Sequence, residues 1–232
     1  MNGGSVDGDD VTAETGTWRE RSVERSLRAA RAKAETRSRL LLKSATELLS
    51  ETGRADFTAQ ELVERAKTSL RALYQHFGSK DDLLLALFEE IIMESTEAWR
   101  AEIELIDDDR TRLRVLLEKL YGKPGEDIGT GLNRALVIYN LQLAETRPAD
   151  FARVLTPLQQ LIRDLVLRGV ANGVYRGDLD PEILTIVTLQ TVMGAASMHA
   201  LGAEFAGGVL VSDHLLEFCV GGLVGAPADP GR

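Results

Sequence analysis

Between Thr58 and Lys80 the chain reads TAQELVERAKTSLRALYQHFGSK, and its side chains suit hydrogen bonding and ion pairing to a nucleic-acid duplex. Arg71 carries the paired donors that match the O6 and N7 edge of guanine. Gln75 suits adenine or a phosphate, and Leu70 and Ala72 offer apolar contact to thymine methyls. These residues are useful only if one element presents them on one face. The spacing predicts such an element. Thr58 and Glu61 form a T-x-x-E capping box that satisfies two orphan N–H groups at a helix start, and Leu62, Val63 and Ala66 form that helix's inner face. After a break of two or three residues a second helix turns Leu73 and Phe77 inward, which leaves Ser69, Leu70, Arg71, Ala72, Gln75 and His76 outward. Two short helices joined by a tight turn make a helix-turn-helix, whose second helix can enter a major groove.

The same stretch resembles the TetR (tetracycline repressor-like) transcriptional regulators, whose signature reads A-G-V-S-x-x-x-L-Y-x-H-F-x-S-K-E-x-L. Here Ala66-Lys67-Thr68-Ser69 and Leu73-Tyr74-Gln75-His76-Phe77-Gly78-Ser79-Lys80-Asp81-Asp82-Leu83 stand in those places. Lys67 replaces the usual Gly, which costs about 1–2 kcal/mol if the turn needs positive φ. Thr68 replaces Val and adds a hydroxyl able to cap the next helix. The resemblance implies that Tyr74, His76 and Lys80 touch phosphates, as do the two helix starts, Thr58 and Ser69. The candidate DNA-binding set is therefore Thr58, Thr68, Ser69, Leu70, Arg71, Ala72, Tyr74, Gln75, His76 and Lys80. The resemblance also implies a homodimer formed through the C-terminal helices, within 151–170 and 182–201, and a small-molecule pocket in residues 84–222. Trp99, Tyr139, Asn140, Leu143 and Met198 are the candidate walls of that pocket.

Composition narrows the alternatives. The chain has 232 residues, 44% of them hydrophobic, enough for a sizeable core. Few aromatics and many Leu and Ala favour helices, so an all-α fold is expected. A single cysteine, Cys219, permits no internal disulfide and no Cys-based metal site. A reducing cytoplasm suits it, and the N-terminal Asp7, Asp9, Asp10 and Glu14 do not suit a signal peptide. Three histidines, His76, His199 and His214, in no H-E-x-x-H or Ser/His/Asp pattern, give no reason to expect an enzyme, a metal or a cofactor. The net charge of −9 looks wrong for a DNA-binding protein until it is divided. Residues 1–16 carry −4, residues 17–80 carry +6 and residues 81–232 carry −11, so the basic portion contains the helix-turn-helix.

Along the chain, residues 1–16 read as a disordered acidic tail. Residues 17–34 read as a basic extension opened by a second capping box, Thr17 and Glu20. Its arginines either lie on a solvated helix or form an arm that contacts phosphates or the minor groove. Residues 35–83 read as the DNA-binding domain, in which Leu41, Leu42, Ala45, Leu48 and Leu49 mark a support helix that Gly53 ends. Phe57 is the staple residue before Thr58. Ser79 caps the next helix, Asp82 closes its box, and that helix runs past Trp99 to link the two halves.

Residues 84–224 read as a helical ligand-binding and dimerisation domain, followed by a tail at 225–232. The KPGEDIGTG stretch reads as a loop; its Gly129-Thr130-Gly131 lacks the strand and the Lys-Ser/Thr pair of a phosphate loop. Residues 183–203 carry no charge and would make a helix about 31 Å long, enough to span a bilayer. Thr185, Thr188, Gln190, Thr191, Ser197 and His199 are too polar to face lipid, so no membrane is expected; core and subunit interface are. Met193, Met198 and Cys219 read as core residues. The expected partners are double-stranded DNA, a second copy of the chain and an unidentified small-molecule effector. The alternative is a DNA-binding regulator whose second half only dimerises or docks partners.

Overall fold

Side-chain hydroxyls set the starts of the helices that lead into and build the helix-turn-helix. The computed structural model describes residues 17–121, 131–202 and 212–224. Among these are nine helices and no strand: α1 Trp18–Thr52, α2 Ala59–Arg65, α3 Leu70–His76, α4 Lys80–Glu104, α5 Asp109–Tyr121, α6 Gly131–Thr146, α7 Pro148–Ala171, α8 Pro181–Ala200 and α9 Ser212–Val224. The Thr17–Glu20 box opens α1, with Thr17 N–H donating to Glu20 Oε2 at 2.6 Å. Gly53, at φ +63°, ends it, because only a residue without Cβ turns left-handed at little cost. The acidic N-terminal stretch, the loop as far as Thr130 and the C-terminal tail lie outside the described residues.

Two compact units divide at Leu40 and Leu41. In the first, every side chain from Thr17 to Leu40 is exposed or half-buried. The second has two apolar clusters. One joins Leu41, Ala45, Leu49, Leu62, Leu73, Leu83 and Phe88 to Ala135, Tyr139 and Leu143 of α6 and Val154 and Leu155 of α7. The other joins Ile103, Leu113, Leu117, Leu158, Ile162, Val192, Leu216 and Cys219. Both α4 and α7 therefore have their first halves in one cluster and their second halves in the other, while Ile92 and Met193 pack against both. Burial pushes the Cys219 thiol up to about 11, so it stays protonated.

The first turn of α4 is tied to the α6–α7 corner. Ser79 accepts from Asp82 N–H at 3.0 Å, but the expected box is not what the Asp82 carboxylate makes. It accepts from the Ser79 hydroxyl at 2.8 Å and from Arg147 Nη1 at 3.0 Å, since Arg147 draws it away from the backbone. The Ser79 bond and then Arg147 hold this carboxyl below its usual range. Arg147 also meets Asp150 at 2.7 Å, and Arg153 bonds both Asp150 and Glu89. Tyr139 donates to Asp81 O at 3.3 Å, its phenol pushed up to about 12 chiefly by burial.

Helix α8 is long and apolar enough to cross a membrane, yet 44% of that window is buried within the protein. Leu184, Thr185, Thr188, Leu189, Val192 and Ala196 face inward, and Thr185 donates to Pro181 O, which satisfies its hydroxyl. A buried ion pair closes the far end of the core. Arg112 meets Asp109 at 2.9 Å with both side chains almost wholly buried. Asn172 donates to the Asp109 carboxylate at 2.6 Å, Tyr175 donates to Asp109 O at 2.7 Å, and Arg112 Nε donates to Ile103 O. With its polar atoms bonded in this way, the pair escapes much of the desolvation penalty that buried charges suffer.

Tyr175 reaches that network only because Gly169 leaves room. A Cβ at 169 would stand 2.0 Å from Tyr175 Cδ2. Gly169→Ala is expected to destabilise the protein by at least about 1–3 kcal/mol through overpacking, read as a lower urea midpoint with an unchanged m-value.

Candidate nucleic-acid interface and ligand cavity

Thr58 and Glu61 form the capping box of α2, with Thr58 N–H donating to Glu61 Oε2 at 2.6 Å and Glu61 N–H to Thr58 Oγ1 at 3.1 Å. Phe57, before the cap, is buried in the same cluster as Leu62. The turn that follows holds Lys67 at φ +49°, the one non-Gly positive φ among the described residues. Ser69, and not Thr68, caps α3: its extended backbone brings Oγ within 3.2 Å of Ala72 N–H. Thr68 stands half-buried one residue earlier.

From that cap, Arg71, Tyr74 and Gln75 stand exposed and Leu70 is 38% exposed. The Arg71 guanidinium has no protein partner among the described residues. Ala72 departs from the expected outward face. It is only 8% exposed, turned inward beside the wholly buried Leu73, so of the two candidate thymine contacts only Leu70 stays on the outward face. His76 is half-buried at the end of the helix.

Lys80 also departs from expectation. Its Nζ donates to Ala55 O at 3.1 Å and Phe57 O at 2.9 Å and sits 5.2 Å from the centre of the Phe57 ring. The ammonium thus ties the first turn of α4 to the loop before α2. Nearby cations are similarly engaged: Arg54 pairs with Asp56, and Arg65 with both oxygens of Glu51. That leaves Lys43, Lys67 and Arg71 with neither an ion pair nor a side-chain hydrogen bond among the described residues from 41 to 80.

A cavity of about 240 Å³ opens where the two apolar clusters meet. Helical periodicity decides which residues reach it. On α4 these are Phe88, Ile91, Ile92, Ser95 and Trp99; on α6 Asn133, Leu136, Val137 and Asn140; on α8 Met193, Ala196, Ser197 and Ala200. Each set follows i, i+3, i+4, i+7 spacing, one side of a helix. Of the expected walls, Trp99 and Asn140 are among the lining residues. Tyr139 and Leu143 are not: with Ala135 they form the neighbouring stripe of α6, buried against the head cluster. Met198 is five residues past Met193 and lies off the lining face of α8, where Met193 stands instead.

Polar groups in the lining are few. Lys119, the one charged residue there, pairs with Glu102 at 2.8 Å. Asn140 is 7% exposed and its Oδ1 has no partner among the described residues. Among the described residues no group of His, Cys, Asp and Glu could hold a metal ion.

Residues 41–87 match the family model of the bacterial regulatory proteins, tetR family. No curated protein matches the chain. Among solved structures, the fold is similar to that of FadR from Bacillus subtilis in complex with stearoyl-CoA, at 18% identity and a TM-score of 0.65 over 79% of this chain and 98% of that one. A protein from Saccharomonospora viridis in complex with choline gives 22% identity and 0.62, over 80% and 93%. A TetR-family transcriptional regulator from Pectobacterium atrosepticum gives 26% identity and 0.58, over 82% and 91%.

Lys80→Met is expected to lower stability by about 1–3 kcal/mol, because it strips the charged donor from two backbone carbonyls. Urea unfolding without DNA checks this. A lysine that served phosphates alone would leave the midpoint unmoved.

Proposed function

We propose that this chain, which belongs to the TetR family of bacterial transcriptional regulators, is a repressor that grips a near-palindromic operator as a homodimer and releases it when a small molecule fills the cavity. The observation that carries the reading is the outward face of α3, where Arg71, Tyr74 and Gln75 stand exposed and Arg71 has no partner among the described residues. Arg71 reads guanine, Gln75 reads adenine or holds a phosphate, and Leu70 meets a thymine methyl. Thr58 and Ser69 bring the N-termini of α2 and α3 to the backbone, and Tyr74 and His76 contact it beside them.

One such head covers little DNA, so two are set about 34 Å apart. The exposed apolar residues favour α8 and α9 for the dimer contact: Ile183, Ile186 and Val187 on α8 and Phe218 on α9, the last 70% exposed. Helix α7, expected to share it, has most of its apolar residues in the two clusters and turns Arg163, Asp164 and Arg168 outward.

Release follows from the lining of the cavity. A ligand wedged against Phe88, Ile91, Ile92 and Trp99 moves α4, whose first residue, Lys80, holds the loop before α2. Only a difference in affinity between two head positions is needed. The lining also selects the ligand. An apolar cavity of about 150 Å³ holds benzene, so this one suits a substituted single ring and is too small for a long acyl chain. Its one charge is already paired, which favours a neutral molecule, and a donor on it would satisfy Asn140. The alternative, a second half that only docks partners, is favoured by a filled core rather than by a cavity.

Selection of bound duplexes from a random pool at controlled salt is expected to return a near-palindrome. Arg71→Ala should then relax base preference by about 1–3 kcal/mol at one position per half-site and leave random-duplex binding unchanged. Equal losses on operator and random DNA would overturn the assignment of Arg71.

For the cavity, neutral phenols should raise the melting temperature, while stearoyl-CoA and choline should not. Val137→Phe, which fills the space, should abolish that rise while operator binding persists. Retention of the rise in the variant would place the ligand elsewhere.

A further inference from the structure

The positive charge of this chain lies mostly outside its helix-turn-helix. Residues 17–40 hold 8 basic and 3 acidic residues, a net of +5, whereas residues 41–80 hold 6 and 5, a net of +1. Of those six cations, Arg54 and Arg65 are ion-paired and Lys80 rests on two carbonyls. Sequence-independent affinity for DNA grows with the number of cations brought to phosphates, each releasing counterions. A head with three uncommitted cations supplies little of it.

The segment 17–40 has the opposite character. Its large apolar residues Trp18, Val23, Leu27 and Leu40 are 68%, 58%, 54% and 49% exposed. Arg28, Arg31, Lys33, Arg37 and Arg39 have no carboxylate partner among the described residues, and Arg25 Nε donates only to Arg21 O, at 3.3 Å. At about 100° per residue, Arg21, Arg25, Arg28 and Arg39 fall on one stripe of the helix, with Arg31 and Lys33 flanking it. The stripe runs for roughly 27 Å at ~1.5 Å per residue, long enough to meet several phosphates. A helix that lies in a membrane surface needs a continuous apolar face. Four large apolar residues, Trp18, Val23, Leu27 and Leu40, set among eight cations and four alanines, do not make one.

We propose that residues 17–40 form a second duplex-binding element, whose arginines and Lys33 neutralise phosphates and supply most of the chain's sequence-independent affinity. This rests on the reading of α3 as the base-reading helix and adds the electrostatic grip that α3 lacks.

The test uses the full chain carrying Arg25→Gln, Arg28→Gln, Arg31→Gln and Lys33→Gln together. All four positions are exposed, and Gln keeps nearly the same helix propensity. Anisotropy titrations on the selected operator and on a random duplex, at several salt concentrations, give the slope of log K against log salt. The slope should become shallower by about 3–4 per protomer, and random-duplex affinity at low salt should fall at least about tenfold. The ratio of operator to random affinity should stay the same.

An unchanged slope would overturn the proposal. So would loss of binding to phosphatidylserine/phosphatidylcholine vesicles with duplex binding intact, which would make the segment a membrane element. If the unsubstituted chain bound no duplex at low salt, the reading of α3 would fail. If it bound, and Arg71→Ala erased base preference while the four-site variant kept the original slope, only the second element would fail.

Discussion

The whole second unit depends on one helix being buried twice. The first half of α4 carries Leu83, Leu84, Leu87 and Phe88 into the cluster that holds the reading head, and its end carries Ile103 into the cluster beneath α5, α8 and α9. Each buried Leu or Phe contributes about 1.5–3 kcal/mol, so neither half can leave its cluster cheaply. A rigid element with two anchorages transmits displacement from one to the other. Packed interiors resist continuous deformation and favour discrete rearrangement. The cavity interrupts the packing at the point on α4 where the two anchorages meet.

The surface interactions around α4 are weak singly and matter by position. Exposed pairs such as Arg147 with Asp82 contribute little individually, because solvent screens them. Yet Arg147, Asp150, Arg153 and Glu89 form a connected set on the α4–α7 contact, and Tyr139 reaches Asp81 from α6. They fix the angle at which the first turn of α4 leaves the head. Lys80 adds a bond in the other direction, to the loop before α2.

Much of this was legible because caps and periodicity are local. The boxes at Thr17 and Thr58, the stop at Gly53 and the starts at Ser79 and Pro181 are written in adjacent residues, and the helices follow. What was not legible depends on distant partners. Lys80 looks like a phosphate ligand until the carbonyls of Ala55 and Phe57 come within 3.1 Å of it. Asp109 and Arg112 look like surface charges, and only the approach of Asn172 and Tyr175, through the gap at Gly169, makes them a buried pair. On α6, positions 139, 140 and 143 all read as one interior surface. Which of them faces the cavity and which the head depends on the rotation of α6 between two neighbours, and no residue within the helix records that rotation. The spacing 133, 136, 137, 140 against 135, 139, 143 separates two stripes without saying which of them lines the cavity.

The turn between α2 and α3 shows how α3 holds its angle despite an unsuitable residue. Lys67 at φ +49° costs about 1–2 kcal/mol relative to glycine. Three local contacts offset this. Thr68 N–H donates to Val63 O at 2.9 Å, which carries the chain out of α2 in a fixed direction. Ser69 then caps α3, and Ala72 and Leu73 go into the core directly after the cap. Burial of Ala72 is therefore the other side of the exposure of Arg71 and Gln75. In a seven-residue helix, the residues committed to the interior determine which others face outward.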